Sequence, residues 1–386
     1  MGSRSPWTKR TKINDWMPRC SAADAMESHH SRKKKHQMTQ QTETHHAVTL
    51  PPPLVLMKLI GDYMPARSIG VAAEFGIADQ LKDGSKSVSE LAESTGTHAP
   101  SLYRMLRLLT RIGVFAEVEP ECFANTDLSA YLRSDVPGSM YGMARMWGGD
   151  PHWRSWGELA HSIRTGQPAF DKAHAMEMWR YFKEQDPEAG AIFDQAMTGF
   201  SRSVDLPIVQ AYDFSGIRTL LDVGGGHGNL LATILAAYPQ IESGILFDQP
   251  QVVEEASAQM PTAETAGRIE LATGDFFEAV PEGADAYIVK NLLHDWNDDE
   301  CVRILTNCRK AMRPGGRVLA AELVLQPNRP DPFPYLLDLE MLVMLTGRER
   351  TEEEFRNLYG AAGLRVTRVI PTASMYWVIE GVASDT

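Results

Sequence analysis

From Thr219 to the C-terminus, short apolar runs alternate with segments of helical periodicity. Apolar runs of this kind are typical of buried parallel strands, and the segments between them are long enough to be crossover helices. Strands are predicted in TLLDVG, GILFD, IELATGD, DAYIVKN and RVLAAELV, followed by RVTRVI and MYWVIEGV. The alternation predicts an α/β fold with a doubly wound, Rossmann-like sheet that is mostly parallel and has an antiparallel closing strand.

Glycines and acidic side chains lie where the first three of these strands end. Asp222, Gly224 and Gly226 begin a D-x-G-x-G-x-G pattern, Asp248 ends the second strand and Asp275 ends the third. Glycine lets the backbone approach a ligand closely, and a carboxylate at the spacing of Asp248 can hold a ribose diol. Ligands of such sheets bind beyond the carboxyl ends of the strands. The pattern indicates a nucleoside without a pyrophosphate, namely S-adenosylmethionine (SAM), rather than three carboxylates that only cap turns.

The fourth predicted strand leads directly into His294, within the stretch YIVKNLLHDWNDDE. Asn297 and Glu300 have capping-box spacing for the helix that follows. His294 therefore belongs to the edge of the sheet where ligands bind, and its imidazole is a candidate general base. The alternative is a hydrogen-bonded loop histidine. The neighbouring Asp295 is assigned no chemical role.

Residues 47–135 show a helix, helix, helix, hairpin pattern that is typical of a winged-helix domain. Ser87 and Glu90 have capping-box spacing. The third helix is predicted to bury the stripe Leu102, Met105, Leu106, Leu109 and Ile112. Arg104, Arg107 and Arg111 share another face of it, as in a DNA-reading helix. However, the segment has eight basic and eleven acidic side chains, a net charge of −3, whereas a DNA-reading domain should be basic. A solvated face or a protein interface is the better interpretation.

Residues 136–212 are predicted to be helical and are rich in aromatic residues and methionine. Most of these should form core, and some should line an adaptable apolar pocket. The candidate substrate contacts are Met197 and Phe200 here and Met341, Met344 and Leu345 on a later helix. His152, in GGDPHWRSW, either contacts substrate or has a structural role.

The charge of this 386-residue chain is unevenly distributed: residues 1–46 carry a net +5 and the remainder −17, for a total of −12. An acidic body argues against binding to nucleic acid in general. Residues 1–46 are predicted to be a disordered extension, with a localisation signal or a metal-binding tract as alternatives. The four cysteines have no paired spacing, which favours reduced thiols and no metal site. No apolar run is long enough to span a membrane and no secretory signal is present, so a cytoplasmic enzyme is expected.

From about residue 50 onward, the chain resembles the SAM-dependent O-methyltransferases of the plant caffeate and bacterial natural-product type. The motifs that carry the resemblance are LDVGGGHG, LFDQP, GDFF, VKNLLHDWNDDECVRIL, RPGGRVL, AEL and GRERTEEEF. HDW before a helix, together with GRERT, is specific to this family. The resemblance implies a class I methyltransferase fold in residues 213–386, a helical linker and substrate pocket in 136–212, and a winged-helix dimerisation domain in 47–135 that forms a homodimer.

The resemblance also implies roles for individual residues. His294 matches the catalytic base, and Glu322 and Glu349 match the carboxylates that flank its imidazole. The cofactor-binding set, including the residues identified from the strand ends, is Asp222, Gly224, Gly226, Asp248, Gln249, Asp275, Phe276 and Lys290.

Methyl transfer to oxygen requires a nucleophilic hydroxyl oxygen. A phenol with a pKa of ~10 and an imidazole with a pKa of ~6.5 differ by about 5 kcal/mol in proton affinity. Proton removal during attack is therefore expected, with the two glutamates stabilising the imidazolium. The acceptor is expected to be an aromatic hydroxyl of a secondary metabolite. N-methylation and a non-methylating reaction such as hydroxylation or ring closure remain alternatives.

Overall fold

The computed structural model describes residues 50–259 and 267–384. The prediction of a disordered extension over residues 1–46 lies outside these ranges, as does Cys20. Cys301 and Cys308 are buried free thiols, and Cys122 is a partly buried one.

The N-terminal region combines short helices with a small antiparallel sheet of strand order β1-β3-β2. Its elements are α1 (Pro52–Gly61), α2 (Tyr63–Glu74), α3 (Ile77–Gln80), β1 (Lys86–Ser87), α4 (Val88–Thr95), α5 (Ala99–Arg111), β2 (Phe115–Glu119), β3 (Cys122–Asn125) and α6 (Asp127–Ala130). The predicted hairpin is confirmed as β2 and β3, and Ser87 caps α4 in a box with Glu90. Leu102, Leu106 and Leu109 are buried as predicted. Ile112 is 41% exposed, so its assignment to the buried stripe was wrong; the helix has already ended at Arg111.

A run of helices joins this region to the large sheet. The helices are α7 (Tyr141–Gly148), α8 (Asp150–Gly157), α9 (Leu159–Thr165), α10 (Ala169–His174), α11 (Met178–Arg180) and α12 (Pro187–Ala211), with a π-helical turn at Tyr181–Gln185. Helix α7 contacts α2 on one side and α12 on the other. A Cβ atom on Gly70 would lie 2.7 Å from the Cα of Gly148, and one on Gly142 would lie 2.6 Å from the backbone of Ala196. Glycine at these positions lets the three helices pack backbone to backbone.

The large sheet has the strand order β10-β11-β8-β7-β4-β5-β6, and β9 pairs with β8. The strands are β4 (Thr219–Val223), β5 (Ser243–Asp248), β6 (Ile269–Thr273), β7 (Ala286–Lys290), β8 (Arg317–Leu325), β9 (Arg350–Thr351), β10 (Leu364–Pro371) and β11 (Tyr376–Ala383). The helices between them are α13 (Asn229–Ala237), α14 (Pro250–Gln259), α15 (Asp298–Ala311), α16 (Phe333–Met344) and α17 (Glu352–Ala361). Strands β4 to β8 pair in parallel, whereas β11 is antiparallel to both β8 and β10. The predicted fold class is confirmed.

The sheet has an apolar core on each face because the side chains of its central strands alternate. In β8, Val318 and Ala320 belong to one core, and Leu319 and Ala321 belong to the other. Glu322, in the same strand, is fully buried. An ionisable group in such a strand is costly unless it is paired. Glu322 is therefore a candidate site residue near the C-terminal edge of the sheet. Among the helices of residues 50–259 and 267–384, none is long and apolar enough to cross a membrane.

Candidate active site

The glycine-rich turn after β4 lies tightly against the end of the sheet. Gly224 and Gly226 have φ angles of 66° and 56°, in the left-handed region that residues with a side chain rarely adopt. A Cβ atom on Gly225 would lie 2.4 Å from Leu246 and 2.7 Å from Asp222. At Gly226, by contrast, a Cβ atom would meet nothing within 4 Å, so the backbone is open there to close approach by a ligand.

Asp248, at the end of β5, fixes this turn. Its Oδ2 accepts the N–H of Gly226 at 2.9 Å, and its Oδ1 accepts the N–H of Gln249 at 2.7 Å. Burial raises the pKa of Asp248 above its usual range, although these two N–H groups oppose that shift. The Gln249 side chain is exposed and accepts a hydrogen bond from Gln251. The structure therefore brings Gly226, Asp248 and Gln249 together.

Two buried carboxylates and an ammonium group lie beside the turn. Asp222 is 1% exposed, and burial raises its pKa to about 7 although Lys290 opposes the shift. Lys290 Nζ lies 2.5 Å from Asp205 Oδ1 and 2.8 Å from Ser201 Oγ. Within the described part of the chain, one buried oxygen of Asp222 and one of Asp205 have no hydrogen-bond partner. Unpaired buried acceptors next to an open turn are suited to a cationic ligand group.

The third strand end carries Asp275 and Phe276. Asp275 Oδ1 accepts the N–H of Phe277 at 2.8 Å. Phe276 is only 8% exposed and packs in the core, with its ring centroid 6.0 Å from that of Trp296. Asp275 thus lies just beyond the C-terminal end of β6, and the Phe276 ring beside it packs against Trp296.

These residues fit SAM. The unpaired oxygens of Asp222 and Asp205 are acceptors for an ammonium group, and Asp248 is a carboxylate at the spacing for a ribose. The glycine turn has no side chain to obstruct the nucleoside. Among residues 50–259 and 267–384, no group of three His, Cys, Asp or Glu side chains is arranged to hold a metal ion.

Glu322 holds the backbone that leads to His294. Its Oε1 accepts the N–H groups of Leu292 and Leu293 at 3.0 and 2.8 Å. Glu322 was expected to flank the imidazole, but within the described residues it makes no hydrogen bond to His294 and its Oε2 is unpaired. Burial raises the pKa of Glu322 to about 7, with His294 acting in the opposite direction.

Residues 347–351, which end in β9, hold the other side of the same loop. Arg350 is fully buried and donates to the carbonyl oxygens of Leu293 and Trp296, both at 2.8 Å. It also pairs with Asp298 at 2.8 Å. A Cβ atom on Gly347 would lie 1.9 Å from a carbonyl oxygen of this loop. The predicted GRERT motif therefore supports the loop by contact at its glycine and by hydrogen bonds at its second arginine.

His294 lies between two carboxylates. Its Nδ1 is 2.9 Å from Glu349 Oε1, and its Nε2 is 3.4 Å from Asp295 Oδ1. Burial disfavours the charged imidazole, but Glu349, Asp295 and Glu322 outweigh burial and raise the pKa of His294 to about 10. Burial raises the pKa of Asp295 to about 6. The carboxylates around His294 therefore favour its charged form over that of an ordinary imidazole.

The predicted substrate residues lie in two neighbouring apolar clusters. Met344 and Leu345 are buried with Met341 beside them, in a cluster that includes Phe170, Met178 and Phe182. Met197 and Phe200 are partly buried in a second cluster with Met143, Met146 and Ala196. Phe193 packs against both clusters. His152 is buried, with its Nε2 3.1 Å from Glu340 Oε1.

Several residues near these groups have no role assigned from the sequence: Asp205, Asp295, Glu340, Arg350 and Tyr376. Tyr376 is 2% exposed, and burial together with Glu349 raises its pKa well above the usual range. Arg350 could have been identified from the GRERT motif, and Asp295 could have been identified from the HDW motif. Asp205 and Glu340 had no sequence signal beyond being acidic residues within predicted helices.

Comparison with known proteins identifies the family. Residues 156–365 match the O-methyltransferase domain, and residues 57–135 match the O-methyltransferase dimerisation domain. The chain belongs to the SAM-dependent O-methyltransferases. This methyltransferase is 42% identical over 339 residues to a phenazine O-methyltransferase of Lysobacter antibioticus, covering 88% of this chain and 98% of that protein.

Two further relatives support the natural-product branch of the family. The methyltransferase is 41% identical over 307 residues to the mitomycin biosynthesis 6-O-methyltransferase of Streptomyces lavendulae, covering 79% of this chain and 87% of that protein. It also resembles the crystal structure of CalO1, a methyltransferase in calicheamicin biosynthesis with S-adenosylhomocysteine (SAH) bound. That match has a TM-score of 0.76 and 35% identity, and covers 87% of this chain and 100% of the other. The enzyme is a SAM-dependent O-methyltransferase of the natural-product type.

Proposed function

We propose that the enzyme methylates a hydroxyl group of a small aromatic secondary metabolite, with His294 as the general base. The observation that carries this proposal is the contact between His294 Nδ1 and Glu349 Oε1 at 2.9 Å. A carboxylate at Nδ1 holds the Nδ1–H tautomer, so the lone pair of the neutral ring is on Nε2. Nε2 is then the atom that accepts the proton of the acceptor hydroxyl.

SAM supplies a methyl group on a positively charged sulfur, which is the electrophile of the reaction. The residues of the chain act on the other partner. His294 takes the proton as the hydroxyl oxygen attacks, and Glu349 and Asp295 stabilise the imidazolium that results. Glu322 and Arg350 hold the loop so that the ring keeps its orientation.

The raised pKa of His294 lowers the cost of this proton transfer. With an ordinary imidazole, transfer from a phenol would be uphill by about 5 kcal/mol. Because the neighbouring carboxylates raise the pKa of His294 to about 10, the ring and a phenol of pKa ~10 have similar proton affinities. From a bound phenol to the neutral ring, the proton can then move with little free-energy cost.

The remaining site assignments belong to the same proposal. Asp222, Gly224, Gly226, Asp248, Gln249, Asp275, Phe276 and Lys290 bind the cofactor, and Met197, Phe200, Met341, Met344, Leu345 and His152 line the acceptor site. The aromatic and methionine-rich clusters around the second set favour a flat apolar acceptor. A structural relative of 32% identity and TM-score 0.69, an O-methyltransferase from neocarzinostatin biosynthesis, binds SAH and 1,4-dihydroxy-2-naphthoic acid.

The domain organisation is part of the proposal as well. Residues 47–135 form the dimerisation domain, 136–212 the linker and pocket, and 213–386 the SAM-binding domain. A homodimer through the N-terminal domain is supported by the apolar surface of α1, where Leu56, Leu59 and Ile60 are 58%, 63% and 68% exposed. Single exposed apolar residues are common, but a continuous row of this size is typical of an interface.

N-methylation is the second candidate function. One relative, 32% identical over 311 residues, is the 8-amino-8-demethylriboflavin N,N-dimethyltransferase of Streptomyces davaonensis. An amine acceptor carries its own lone pair and needs no strong base. Dependence of turnover on His294 therefore separates the two functions.

The test is His294→Ala, assayed with phenolic and aniline acceptors. We expect the SAM dissociation constant to be retained and turnover of the phenols to fall by roughly 10²–10⁴-fold. Unchanged turnover of the true phenolic substrate refutes the base assignment. If only amines are methylated, equally well by both forms, N-methylation is favoured. His161→Ala, on α9 and outside the proposed site, is the matched control and should behave as wild type.

A further inference from the structure

A second buried histidine–glutamate pair lies outside the group around His294. His152 on α8 is 4% exposed and Glu340 on α16 is 7% exposed. The His152 Nε2 lies 3.1 Å from one Glu340 oxygen, and the indole N–H of Trp156 donates to the other at 2.5 Å. The proposed reaction uses neither His152 nor Glu340 for proton transfer.

On the side of Trp156, this pair borders an apolar cluster. Trp156 packs against the cluster that contains Met344 and Leu345, and helices α8 and α16 are in contact. An ionisable pair in an apolar region stabilises a fold poorly, since apolar residues of similar size often serve as well or better. A few polar groups within an apolar lining are, by contrast, the usual means by which a pocket orients its ligand.

Helix α16 connects this pair to the proposed catalytic group. Asp338, two residues before Glu340, accepts the N–H of Glu349 at 3.0 Å. Glu349 in turn holds His294. The same helix therefore contacts both histidine–glutamate pairs, and it also carries the acceptor-site candidates Met341 and Met344.

The hydrogen-bonding pattern indicates which ligand group fits. With Nε2–H facing Glu340 Oε1, the His152 ring carries its lone pair on Nδ1 and can accept a hydrogen bond there. The Glu340 oxygens also offer only acceptors. Conversely, the indole nitrogen of Trp179, in the same cluster, is a buried donor without a partner in the ranges that the structure describes. A hydroxyl group both donates and accepts, so it matches the two kinds of group.

We propose that His152 and Glu340 form a second polar anchor of the acceptor site, which binds a second hydroxyl group of a polyhydroxylated aromatic acceptor. This inference rests on the proposed function, because it assumes that the aromatic cluster holds the acceptor. The pair does not take part in methyl transfer; it selects and orients the ring whose other hydroxyl reaches His294.

The experiment compares dihydroxynaphthalene isomers with 1-naphthol and 2-naphthol. Dissociation constants are measured calorimetrically with the full chain and without SAM, and kcat/KM is measured with SAM. In the wild-type enzyme, at least one dihydroxy isomer should bind about 10-fold more tightly than its parent naphthol, since a buried polar group discriminates strongly against a ligand that leaves it unpaired. In the double variant His152→Leu/Glu340→Met, the ratio of the dissociation constant of the parent naphthol to that of the dihydroxy isomer should fall below about 2.

The double variant removes both members of the pair, so no unpaired charge is left buried. Thermal unfolding and SAH binding establish that it is folded; if it is not, Glu340→Gln replaces it, with an expected loss of at least about threefold in the ratio. Glu158→Gln, an exposed carboxylate at the end of α8, should keep the wild-type ratio. An unchanged ratio in the pair variants, or no preference for any dihydroxy isomer in the wild type, overturns the inference.

The outcome is distinguishable from failure of the proposed function. The dissociation constants are read without SAM, so they report the anchor even if His294 is not the base. If instead His294→Ala abolishes turnover while the binding ratio is insensitive to the pair, only the anchor is refuted.

Discussion

Glu349 Oε1 lies 2.9 Å from Nδ1 of His294, and of the groups that raise the pKa of this histidine, Glu349 acts most strongly. A protonated imidazole cannot accept a proton, so activity should rise with pH until His294 is neutral. With its pKa at about 10, kcat/KM of the wild-type enzyme should still be rising well above pH 7.

The first prediction concerns Glu349→Gln. Removing the carboxylate lowers the pKa of His294, so the rising limb of kcat/KM against pH should move down by at least about one pH unit. The plateau should also be lower, because the imidazolium loses its main partner. Glu353→Gln, an exposed carboxylate on α17, should leave the limb where it is. If the rising limb of kcat/KM lies at the same pH in Glu349→Gln and Glu353→Gln, Glu349 does not raise the pKa of His294.

The second prediction concerns SAM affinity and Asp222, whose pKa is raised to about 7 by burial. As pH falls through this value the carboxylate is protonated and loses its attraction for a cation, so SAM should bind more weakly below pH 7. Asp222→Asn should bind SAM weakly at all pH values and show little of this dependence. Calorimetric titrations between pH 5.5 and 8.5 measure both effects. The exposed Asp213→Asn should retain the wild-type profile.

The third prediction concerns Gly347, where a Cβ atom would lie 1.9 Å from the His294 carbonyl oxygen. Gly347→Ala must displace the catalytic loop, and a misplacement of about 1 Å costs about 10²-fold in turnover. SAM affinity should change little, since the glycine turn lies elsewhere. Gly360→Ala is the control: a Cβ there meets no atom within 4 Å, so stability should rise by about 0.5–1 kcal/mol with normal turnover. Full activity of Gly347→Ala would show that the loop position is not critical.

The fourth prediction concerns Arg350, which is fully buried and bonded to Leu293 and Trp296. Arg350→Lys cannot reach both carbonyl groups, so at least one buried acceptor is left unpaired. The free energy of unfolding should fall by about 2–4 kcal/mol in urea titrations, and kcat should fall while KM for SAM is little changed. Arg348→Lys, in an exposed ion pair with Asp298, should cost less than about 1 kcal/mol. Equal effects of the two substitutions are inconsistent with a specific role for Arg350.

Much of the fold was predictable because its signals are local. The capping boxes at Ser87 and Asn297 each begin a helix in the structure. The apolar runs became strands because period-two alternation and burial on both faces are properties of the strands themselves. The prediction that Ile112 is buried was wrong because it also used a local signal: the apolar pattern continues one residue beyond the end of the helix.

The site was less predictable because its interactions join distant segments. The residue types and the strand-end positions of Asp222, Asp248, Asp275 and His294 could be read from sequence, since parallel strands end at a common edge. The sequence could not show which carboxylate oxygen faces which nitrogen atom. Glu322 points to backbone N–H groups, and Asp295 lies at the second imidazole nitrogen.

The sequence alone determined the order of strands and helices, the glycine turn and the identity of the acidic and basic groups at the edge of the sheet, because these depend on periodicity and on residue chemistry. Only the tertiary structure decided that His294 is surrounded by enough negative charge to become a stronger base. It alone placed Glu340 against His152, 188 positions earlier in the chain. The physical reason is that pKa values and polar pairing depend on burial and on distances between side chains, and packing sets both.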